Sequence, residues 1–385
     1  EASARRDSSL ERVIAPTEAA TEPWAIRDGT RMLNLSSNSY LGIADNPTLR
    51  EAAVRGAERA AGAGASRLVT GSDSRYRATE ERVADMKGTE GALLLGSGYL
   101  ANVGTLACLL DRNCGVVSDT LNHASIIDGV RLSRAHVYRY NHADLDELET
   151  RLREASIAGH ARVLVVTDSV FSMDGDTAPL AEIVGLKNQF GAALVVDDAH
   201  GTGVFGTRGA GYVDQLGLTS EVDIQIGTFS KAFGAYGAYV AADASWIKQL
   251  VNTSRTLTFS TGLPPALIET IDAALTIVAQ ADEARASLAR KATAFRSTLT
   301  SAGLDTGESS TQIVPLIAGP SDIALRLAER LRVQGLLAQA IRPPTVPAGS
   351  ARIRFSLMAT HSDEALAEAA RTIAAEAKDA GLART

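Results

Sequence analysis

The chain has 385 residues, 45% of them hydrophobic, which is enough for a large core and for two or three compact units. Its net charge of −7 is spread along the sequence without a basic cluster, which argues against a nucleic-acid partner or a surface for anionic membranes. No stretch reaches membrane-spanning length and residues 1–21 contain no apolar signal-type core, so we expect a cytoplasmic protein.

The two cysteines, Cys108 and Cys114, are too few for a disulfide framework or a four-ligand zinc site. We interpret them as buried thiols in a reducing compartment. Residues 1 to about 20 mix charges with Ser and Ala, and we expect a mobile or partner-dependent arm there.

The first predicted elements lie between residues 31 and 67. Residues 31–35 form a candidate edge strand that leads into a Ser/Asn-rich turn, and Pro47 begins a helix to about Ala61. The small-residue segment Gly62–Arg67 follows. It is either a flexible connector or a loop where backbone approaches a ligand closely.

A glycine turn comes next, between a strand and a helix. A helical pattern from Thr79 to Lys87 precedes the apolar run Gly91–Leu95, after which residues 96–99, including Gly98 and Tyr99, begin another helix. A helix N-terminus behind a glycine turn offers free N–H groups and a favourable dipole to an anion such as phosphate. A tight turn that needs glycine for its dihedral angles is the alternative.

Strand-like and helical runs then alternate, which predicts an α/β fold with a largely parallel sheet. The strands are predicted at residues 116–118, 136–138, 163–167, 193–196, 224–227 and 238–241, with helices such as 144–154 and 179–189 between them. Ligands bind at the carboxyl ends of such strands. This rule groups four loops, which carry His123, Ser172, Asp197 with His200, and Lys231.

Lys231 is the candidate for covalent chemistry. It lies among small residues directly after the apolar run 222–227. A partly desolvated lysine has a lowered pKa, so its amine is able to form a Schiff base with an aldehyde cofactor. A solvated loop lysine is the alternative on this motif alone.

Two other patterns are weaker. Asp197 to His200 could contribute metal ligands, but no third ligand stands at a recognisable spacing, so we predict no metal site. Residues 201–206 match a dinucleotide glycine pattern, but a loop continues where a helix should begin.

The C-terminal third predicts a second, smaller α/β unit. Helical sequence runs from about 272 to 303, strands are predicted at 312–318 and 353–358, and Ser321 and Ser362 are expected to cap helices. Arg352 and Arg354 stand two residues apart and therefore on one face of a strand. They are either an arginine fork for a carboxylate or part of a solvated edge.

Together these motifs resemble the pyridoxal 5'-phosphate (PLP)-dependent α-oxoamine synthases. The resemblance runs from about residue 34 to residue 375. It rests on six motifs: Asn38–Gly42 (NSYLG), Leu121–Ser125 (LNHAS), Val170–Gly175 (VFSMDG), Asp197–His200 (DDAH), Thr228–Lys231 (TFSK) and Ile341–Pro347 (IRPPTVP). The last motif most resembles the branch of the family in biotin biosynthesis.

The resemblance implies an aspartate-aminotransferase-type fold (fold type I) and a homodimer with active sites between subunits. On this basis the expected regions are an arm at 1–37, a large PLP-binding domain at 38–271 and a small domain at 272–385. The roles that it implies fall on the following positions: Lys231 binding PLP covalently and moving the α-proton, Asp197 facing the pyridine nitrogen, His123 stacking on the ring, His200 and Ser172 near its phenolic oxygen, Gly98, Tyr99 and Thr228 at the phosphate, Thr261 at the phosphate of the neighbouring subunit, Arg354 binding the amino-acid carboxylate, and Asn38 at the substrate entrance.

The implied reaction is a decarboxylative condensation of an amino acid, L-alanine in the biotin branch, with an acyl thioester, there pimeloyl-CoA or its carrier-protein equivalent. Ser39 departs from the Asp that is usual in the family, and the N-terminal arm departs in its arginine pattern, which leaves substrate identity open. The alternatives are a synthase for another amino acid and acyl group, a PLP aminotransferase, and a non-catalytic scaffold subunit, which would be expected to lack Lys231.

Overall fold

The computed structural model of the chain describes residues 11, 12 and 14–382. The strands are β1 (Trp24–Arg27), β2 (Thr30–Asn34), β3 (Gly91–Leu95), β4 (Cys114–Asp119), β5 (His136–Tyr140), β6 (Arg162–Asp168), β7 (Ala193–Asp197), β8 (Ile224–Thr228), β9 (Ala238–Ala242), β10 (Ile313–Gly319), β11 (Leu336–Leu337), β12 (Gln339–Ile341) and β13 (Ala351–Ser356).

The α-helices alternate with many of these strands. They are α1 (Pro47–Ala57), α2 (Tyr76–Lys87), α3 (Gly98–Leu109), α4 (Ala124–Ser133), α5 (Leu145–Ile157), α6 (Leu180–Phe190), α7 (Tyr212–Gln215), α8 (Ala244–Thr253), α9 (Arg255–Thr258), α10 (Pro265–Ala279), α11 (Asp282–Ser301), α12 (Ser321–Val333) and α13 (Asp363–Asp379). Among the described residues, no helix combines the length and the apolar character needed to cross a membrane.

The chain divides into two compact units. The first unit contains the N-terminal segment up to Ala44, the short segment Ser172–Thr177 and Glu283–Thr385, and the second contains Asp45–Phe171 and Ala178–Asp282. The boundaries expected at residues 37 and 271 therefore differ from this division. The division into units depends on contacts between residues that are far apart in sequence, and the local sequence does not indicate such contacts.

The second unit is built on a mixed seven-stranded sheet of order β3-β9-β8-β7-β6-β4-β5. Strands β5, β4, β6, β7 and β8 run parallel, and β9 is antiparallel to both β8 and β3. The predicted α/β fold with a largely parallel sheet is confirmed. Since parallel strands end at the same edge, the loops after β4, β7 and β8 lie along one edge of the sheet.

Both faces of this sheet are buried, which explains the continuous apolar runs of its strands. Along β6, Leu164 and Val166 belong to one hydrophobic cluster, while Val165 between them belongs to the other. Successive side chains point to opposite faces, so a central strand such as β6 contributes to both clusters. The rigid sheet thus holds the loops at its carboxyl edge.

Helix α1 begins at Pro47 as predicted, and the side chain of Asn46 caps it. It ends at Ala57, four residues before the expected end. Gly56 allows the backbone of α1 to approach that of α10, because a Cβ atom at this position would lie 2.4 Å from the Cα atom of Ala266. A close backbone contact thus explains a glycine inside a helix.

The first unit contains two three-stranded sheets, of order β1-β2-β11 and β10-β13-β12. The prediction of an edge strand at residues 31–35 is wrong, because β2 lies between β1 and β11. The solvated edge considered for Arg352 and Arg354 is also wrong, because β13 is the central strand of its sheet and both side chains are buried.

The helices of the C-terminal third differ from the prediction in detail. The helical sequence from about 272 to 303 divides into α10 and α11. The hydroxyl of Ser362 caps α13 by accepting a hydrogen bond from the Ala365 N–H at 3.1 Å, as expected. Ser321 is instead the first helical residue of α12, and Pro320 occupies the cap position.

Candidate active site

Lys231 lies in the loop after β8. Its Nζ atom is 3.0 Å from Nε2 of His200, which follows β7. Two buried aromatic side chains, Phe229 and Phe233, flank the lysine and pack edge to face with ring centroids 5.3 Å apart. The loop backbone is therefore anchored, while the amine remains beside an imidazole that is able to exchange a proton with it.

Asp197 ends β7 and is buried. Its Oδ2 atom accepts a hydrogen bond from Nδ2 of Asn102 at 2.6 Å, and its Oδ1 atom accepts one from the Ala199 backbone N–H at 2.9 Å. These donors satisfy the charged form of the carboxylate, as a buried carboxylate requires. Asp197 is thus held in one orientation at the edge of the sheet.

A second carboxyl, that of Asp168, stands opposite Asp197 on the neighbouring strand. It accepts the backbone N–H of His123 at 2.8 Å. Burial raises the pKa of Asp168 well above its usual range, and the nearby charge of Asp197 adds to this shift. Asp168 is therefore harder to ionise than an ordinary carboxyl.

His123 precedes α4 and caps it with its own ring. Burial lowers the pKa of His123 below its usual value; the charge of Asp197 opposes this shift and that of Lys231 adds to it. Because both charges act on the imidazole, His123, Asp197 and Lys231 lie within one electrostatic neighbourhood. The sequence-based grouping of their three loops is consistent with this arrangement.

The turn between β3 and α3 has the features expected of a phosphate site. The Ser97 side chain caps α3, and Gly98 and Tyr99 are its first residues, where backbone N–H groups lack intrahelical partners. A Cβ atom on Gly98 would lie 3.8 Å from Cβ of Thr228, so this turn and the start of the lysine loop meet. The Thr228 hydroxyl lies 2.6 Å from that of Ser230.

Thr261 is exposed, and it belongs to a different segment of the sequence from the loop that carries Lys231. It forms an isolated antiparallel bridge with Ser66. The Gly262 N–H also donates to the carbonyl of Ala65 at 2.9 Å. The segment around Gly62–Arg67 is therefore tied to the segment that carries Thr261 and does not serve as a free connector.

Three predicted site residues belong to the first unit and are brought together there. The Arg354 guanidinium donates to Oδ1 of Asn38 at 3.1 Å, to the backbone carbonyl of Ser172 and to the Ser356 hydroxyl at 2.7 Å. Burial raises the pKa of the Tyr40 hydroxyl, which Arg354 also contacts and whose shift Arg354 opposes. Arg354 is thus fixed in place by a polar cluster.

The other arginine of the pair differs in its partner. Arg352 forms an ion pair with Asp174. The two arginines therefore lie on one face of β13 but have separate environments.

The hydroxyl of Ser39, which replaces the usual Asp of the motif, is buried and has no hydrogen-bond partner among the described residues.

Sequence reasoning missed the polar residues that support the site. Asn102 lies one helical turn after Gly98, so its position on the same face of α3 was a usable signal. Asp168 and Lys87 carried no such signal, because their partners are distant in sequence. Ser125 stands in the motif Leu121–Ser125, two residues from its partner His123, but sequence reasoning assigned it no role. In the described ranges, no group of three or more His, Cys, Asp or Glu side chains could hold a metal ion.

Comparison with known proteins places this arrangement in a family. The aminotransferase class I and II family matches residues 30–373. The 8-amino-7-oxononanoate synthase of Geobacter sulfurreducens (strain ATCC 51573 / DSM 12127 / PCA) is 47% identical over 380 residues, which cover 98% of this chain and 97% of the relative.

Solved structures show the same fold. A structure of SPT, serine palmitoyltransferase, with PLP has a TM-score of 0.92 and 28% identity to this chain. The match covers 99% of this chain and 96% of that one. Serine palmitoyltransferase from Sphingomonas wittichii has a TM-score of 0.93 and 29% identity, and covers 100% of this chain and 98% of that one.

The chain therefore belongs to the aminotransferase class I and II family, with fold type I, and within it to the PLP-dependent α-oxoamine synthases. It is a PLP-dependent acyltransferase. The residues present fit this cofactor: an amine at Lys231 for the aldehyde, a fixed carboxylate at Asp197 for the pyridinium nitrogen, and a helix N-terminus at Gly98 for the phosphate.

Proposed function

We propose that the protein condenses L-alanine with a pimeloyl thioester, carried by CoA or a carrier protein, and releases 8-amino-7-oxononanoate, CO2 and the free thiol in biotin biosynthesis. The 47% identity to an 8-amino-7-oxononanoate synthase over nearly the full length of both chains carries this proposal. The segment Ile341–Pro347, which resembles the biotin branch, supports it.

PLP supplies an electron sink for the pair of electrons left when the amino acid loses its α-proton. In our proposal Lys231 binds the cofactor and moves that proton, and His200 at 3.0 Å assists its proton exchange. Asp197 would keep a proton on the pyridine nitrogen of the bound cofactor, and His123 would stack on its ring.

The remaining roles concern binding. Gly98, Tyr99 and Thr228 would hold the phosphate, and Ser172 and His200 would each serve the phenolic oxygen. Arg354 binds the carboxylate of the amino acid, because a guanidinium offers two parallel hydrogen bonds to such a group. Asn38, which already orients Arg354, lines the substrate entrance.

The proposal is tested by incubating the PLP-loaded protein with a panel of amino acids and acyl thioesters and identifying products by mass spectrometry. We expect L-alanine and pimeloyl thioester to give the highest kcat/KM. Each buried methylene contributes about 0.8 kcal/mol, so five methylenes favour pimeloyl over acetyl by up to about 4 kcal/mol, somewhat under a thousandfold. A preference for glycine with acetyl-CoA would contradict the proposal.

A second candidate is a synthase that joins serine to a long fatty-acyl chain. The similarity to serine palmitoyltransferase structures, at TM-scores of 0.92 and 0.93, favours it specifically. The same panel separates the two, because a long-chain enzyme would use palmitoyl-CoA and L-serine in preference to pimeloyl thioester and L-alanine.

We also propose that the protein is a homodimer in which Thr261 serves the phosphate of the partner's cofactor. Exposed apolar side chains in the same unit support this: Val69 is 73% exposed, Phe259 71% and Tyr236 51%. The bridge between Ser66 and Thr261 joins the segments that carry Val69 and Phe259. Large exposed apolar and aromatic side chains are enriched at interfaces between subunits.

Subunit mixing tests the shared site. Lys231→Ala should abolish turnover, and Thr261→Glu should do so by placing a charge against the phosphate. In a mixed dimer, one of the two sites combines an intact Lys231 with an intact Thr261. Random mixing should therefore restore about a quarter of the wild-type activity. Mixtures that stay inactive, although light scattering shows that mixed dimers form, would contradict the role of Thr261.

A further inference from the structure

We propose that Asn102 and Ser125 are positioning residues that join the carboxylate of Asp197 to the imidazole of His123 and hold that imidazole as the neutral tautomer with its proton on Nε2. The functional meaning of this chain of hydrogen bonds rests on the proposed roles of Asp197 and His123. Its geometry and its test do not, because both concern the protein without cofactor.

The hydrogen bonds form a continuous chain inside the second unit. Nδ2 of Asn102 donates to Oδ2 of Asp197 at 2.6 Å and to the hydroxyl oxygen of Ser125 at 2.9 Å. That hydroxyl lies 2.7 Å from Nδ1 of His123. Asn102 and Ser125 are almost completely buried, so water does not compete for the bonds that Asn102 donates, whereas His123 at the end of the chain of bonds is exposed.

The direction of each bond follows from its donors. A carboxylate accepts only, so the amide nitrogen of Asn102 must face Asp197. Its second N–H occupies one of the two lone pairs of the Ser125 oxygen, so this bond alone leaves the Ser125 hydroxyl able to donate to Nδ1 of His123 or to accept from it. The Ser125 backbone N–H, which is able only to donate, also points at Nδ1 of His123 at 3.3 Å. A proton on Nδ1 would point toward this N–H, so we assign Nδ1 as the unprotonated acceptor, and the Ser125 hydroxyl then donates to the same lone pair.

This arrangement leaves one buried acceptor atom of Asn102 unsatisfied within the part of the chain that the structure describes. Oδ1 of Asn102 is buried and has no hydrogen-bond partner among the described residues. Turning the amide over would offer this oxygen a new position, but it would then face the Asp197 carboxylate. An unsatisfied buried acceptor destabilises a protein, so its presence indicates that the orientation of Asn102 serves Asp197.

The consequence is a division of charge within the site. Two donors face the carboxyl of Asp197, and two donors face Nδ1 of His123, which leaves the imidazole in its neutral form. A neutral imidazole adds no second positive charge near Lys231. Its remaining proton, on Nε2, is available as a hydrogen-bond donor.

Nitrogen NMR of the full-length, cofactor-free protein labelled in histidine tests the proposal. The chain has 6 histidines, and loss of one signal pair in His123→Gln assigns His123. At neutral pH we expect a protonated Nε2 and an unprotonated Nδ1. Ser125→Ala should bring both nitrogens toward averaged shifts, because the second tautomer gains population, whereas Ser125→Thr should keep the wild-type pattern.

Asn102→Leu tests the other end of the chain, through the carboxyl carbon shift of Asp197, which should change when its amide donor is lost. Thr105→Val is the matched control, since it removes a buried hydroxyl without a partner from the same helix, and should leave both residues' signals unchanged. A wild-type His123 protonated on Nδ1, or equal populations of both tautomers, would overturn the proposal. A different substrate found in the product panel would leave these shifts as they are.

Discussion

Replacing Lys87 by methionine should destabilise the protein, because it removes one partner of the buried ion pair between Lys87 and Asp198. Nζ of Lys87 lies 3.0 Å from Oδ2 of Asp198, and both side chains are completely buried. Burial alone would lower the pKa of Lys87, but Tyr239 and Asp198 raise it, and the net shift is upward. The lysine is therefore charged, and Lys87→Met leaves the Asp198 carboxylate without its counter-charge.

Removal of one partner from a buried ion pair typically costs about 3–5 kcal/mol. Asp198 would retain three other donors, the Ser169 hydroxyl at 2.6 Å, the Tyr212 backbone N–H at 3.2 Å and the Thr202 hydroxyl at 3.3 Å. We therefore expect the lower end of this range, about 3 kcal/mol, which is more than about a hundredfold in the opening equilibrium. Adding Asp198→Asn should restore part of the loss, because a neutral amide costs less to bury alone.

Native-state hydrogen exchange is the suitable assay, because a chain with two units does not have to unfold in one step. Amides of α2 and of residues 198–203 should lose at least about a hundredfold in protection. Arg77→Met, on the same helix, is the control: its pair with Glu81 is 89% and 63% exposed and should contribute under about 0.5 kcal/mol. Equal losses in the two variants would refute the reasoning.

Two further predictions concern the first unit. Burial lowers the pKa of His361 to about 4, so the unfolded chain, with an ordinary value of 6.5, binds a proton that the folded chain does not. This contribution is complete above pH 6.5 and is lost as the pH falls from 6.5 to 4, by about 3 kcal/mol, which urea midpoints of wild type and His361→Gln should show. Arg354→Lys should raise the KM for the amino acid at least about tenfold in steady-state kinetics, because lysine lacks the planar fork. Arg352→Lys should raise it less, and equal increases would mean that Arg354 is not the carboxylate ligand.

The main sheet was predictable because its signal is local. Strands buried on both faces appear as continuous apolar runs. Strand β6 is longer than its predicted run by one residue at each end, and β7 is longer by one residue at its C-terminal end. The position of β2 was not predictable. Its second partner, β11, lies about three hundred residues further along the chain and has only two residues. No local pattern indicates such a pairing.

The site shows the same limit. The rule that ligands bind at the carboxyl edge of a parallel sheet was enough to group Asp197, His200 and Lys231. The residues that orient them were missed, because Asn102 meets Asp197 across 95 positions of sequence. An Asn or Ser within a helix is common, and only its distant partner distinguishes it. The burial of Arg354 likewise depends on the two strands beside β13.

The interleaved order of the two units has a consequence for synthesis of the chain on the ribosome. Strand β2 pairs with β11, so one side of β2 stays open until residue 336 has been made. At about 5–20 residues per second this interval lasts on the order of 15–60 s. During it the side chains of Met32 and Leu33, buried in the finished protein, are accessible to chaperones and to other nascent chains. The strands of the second unit all lie between Gly91 and Ala242, so the second unit is able to fold first. The sheet that contains β2 is completed only after β11 has been synthesised.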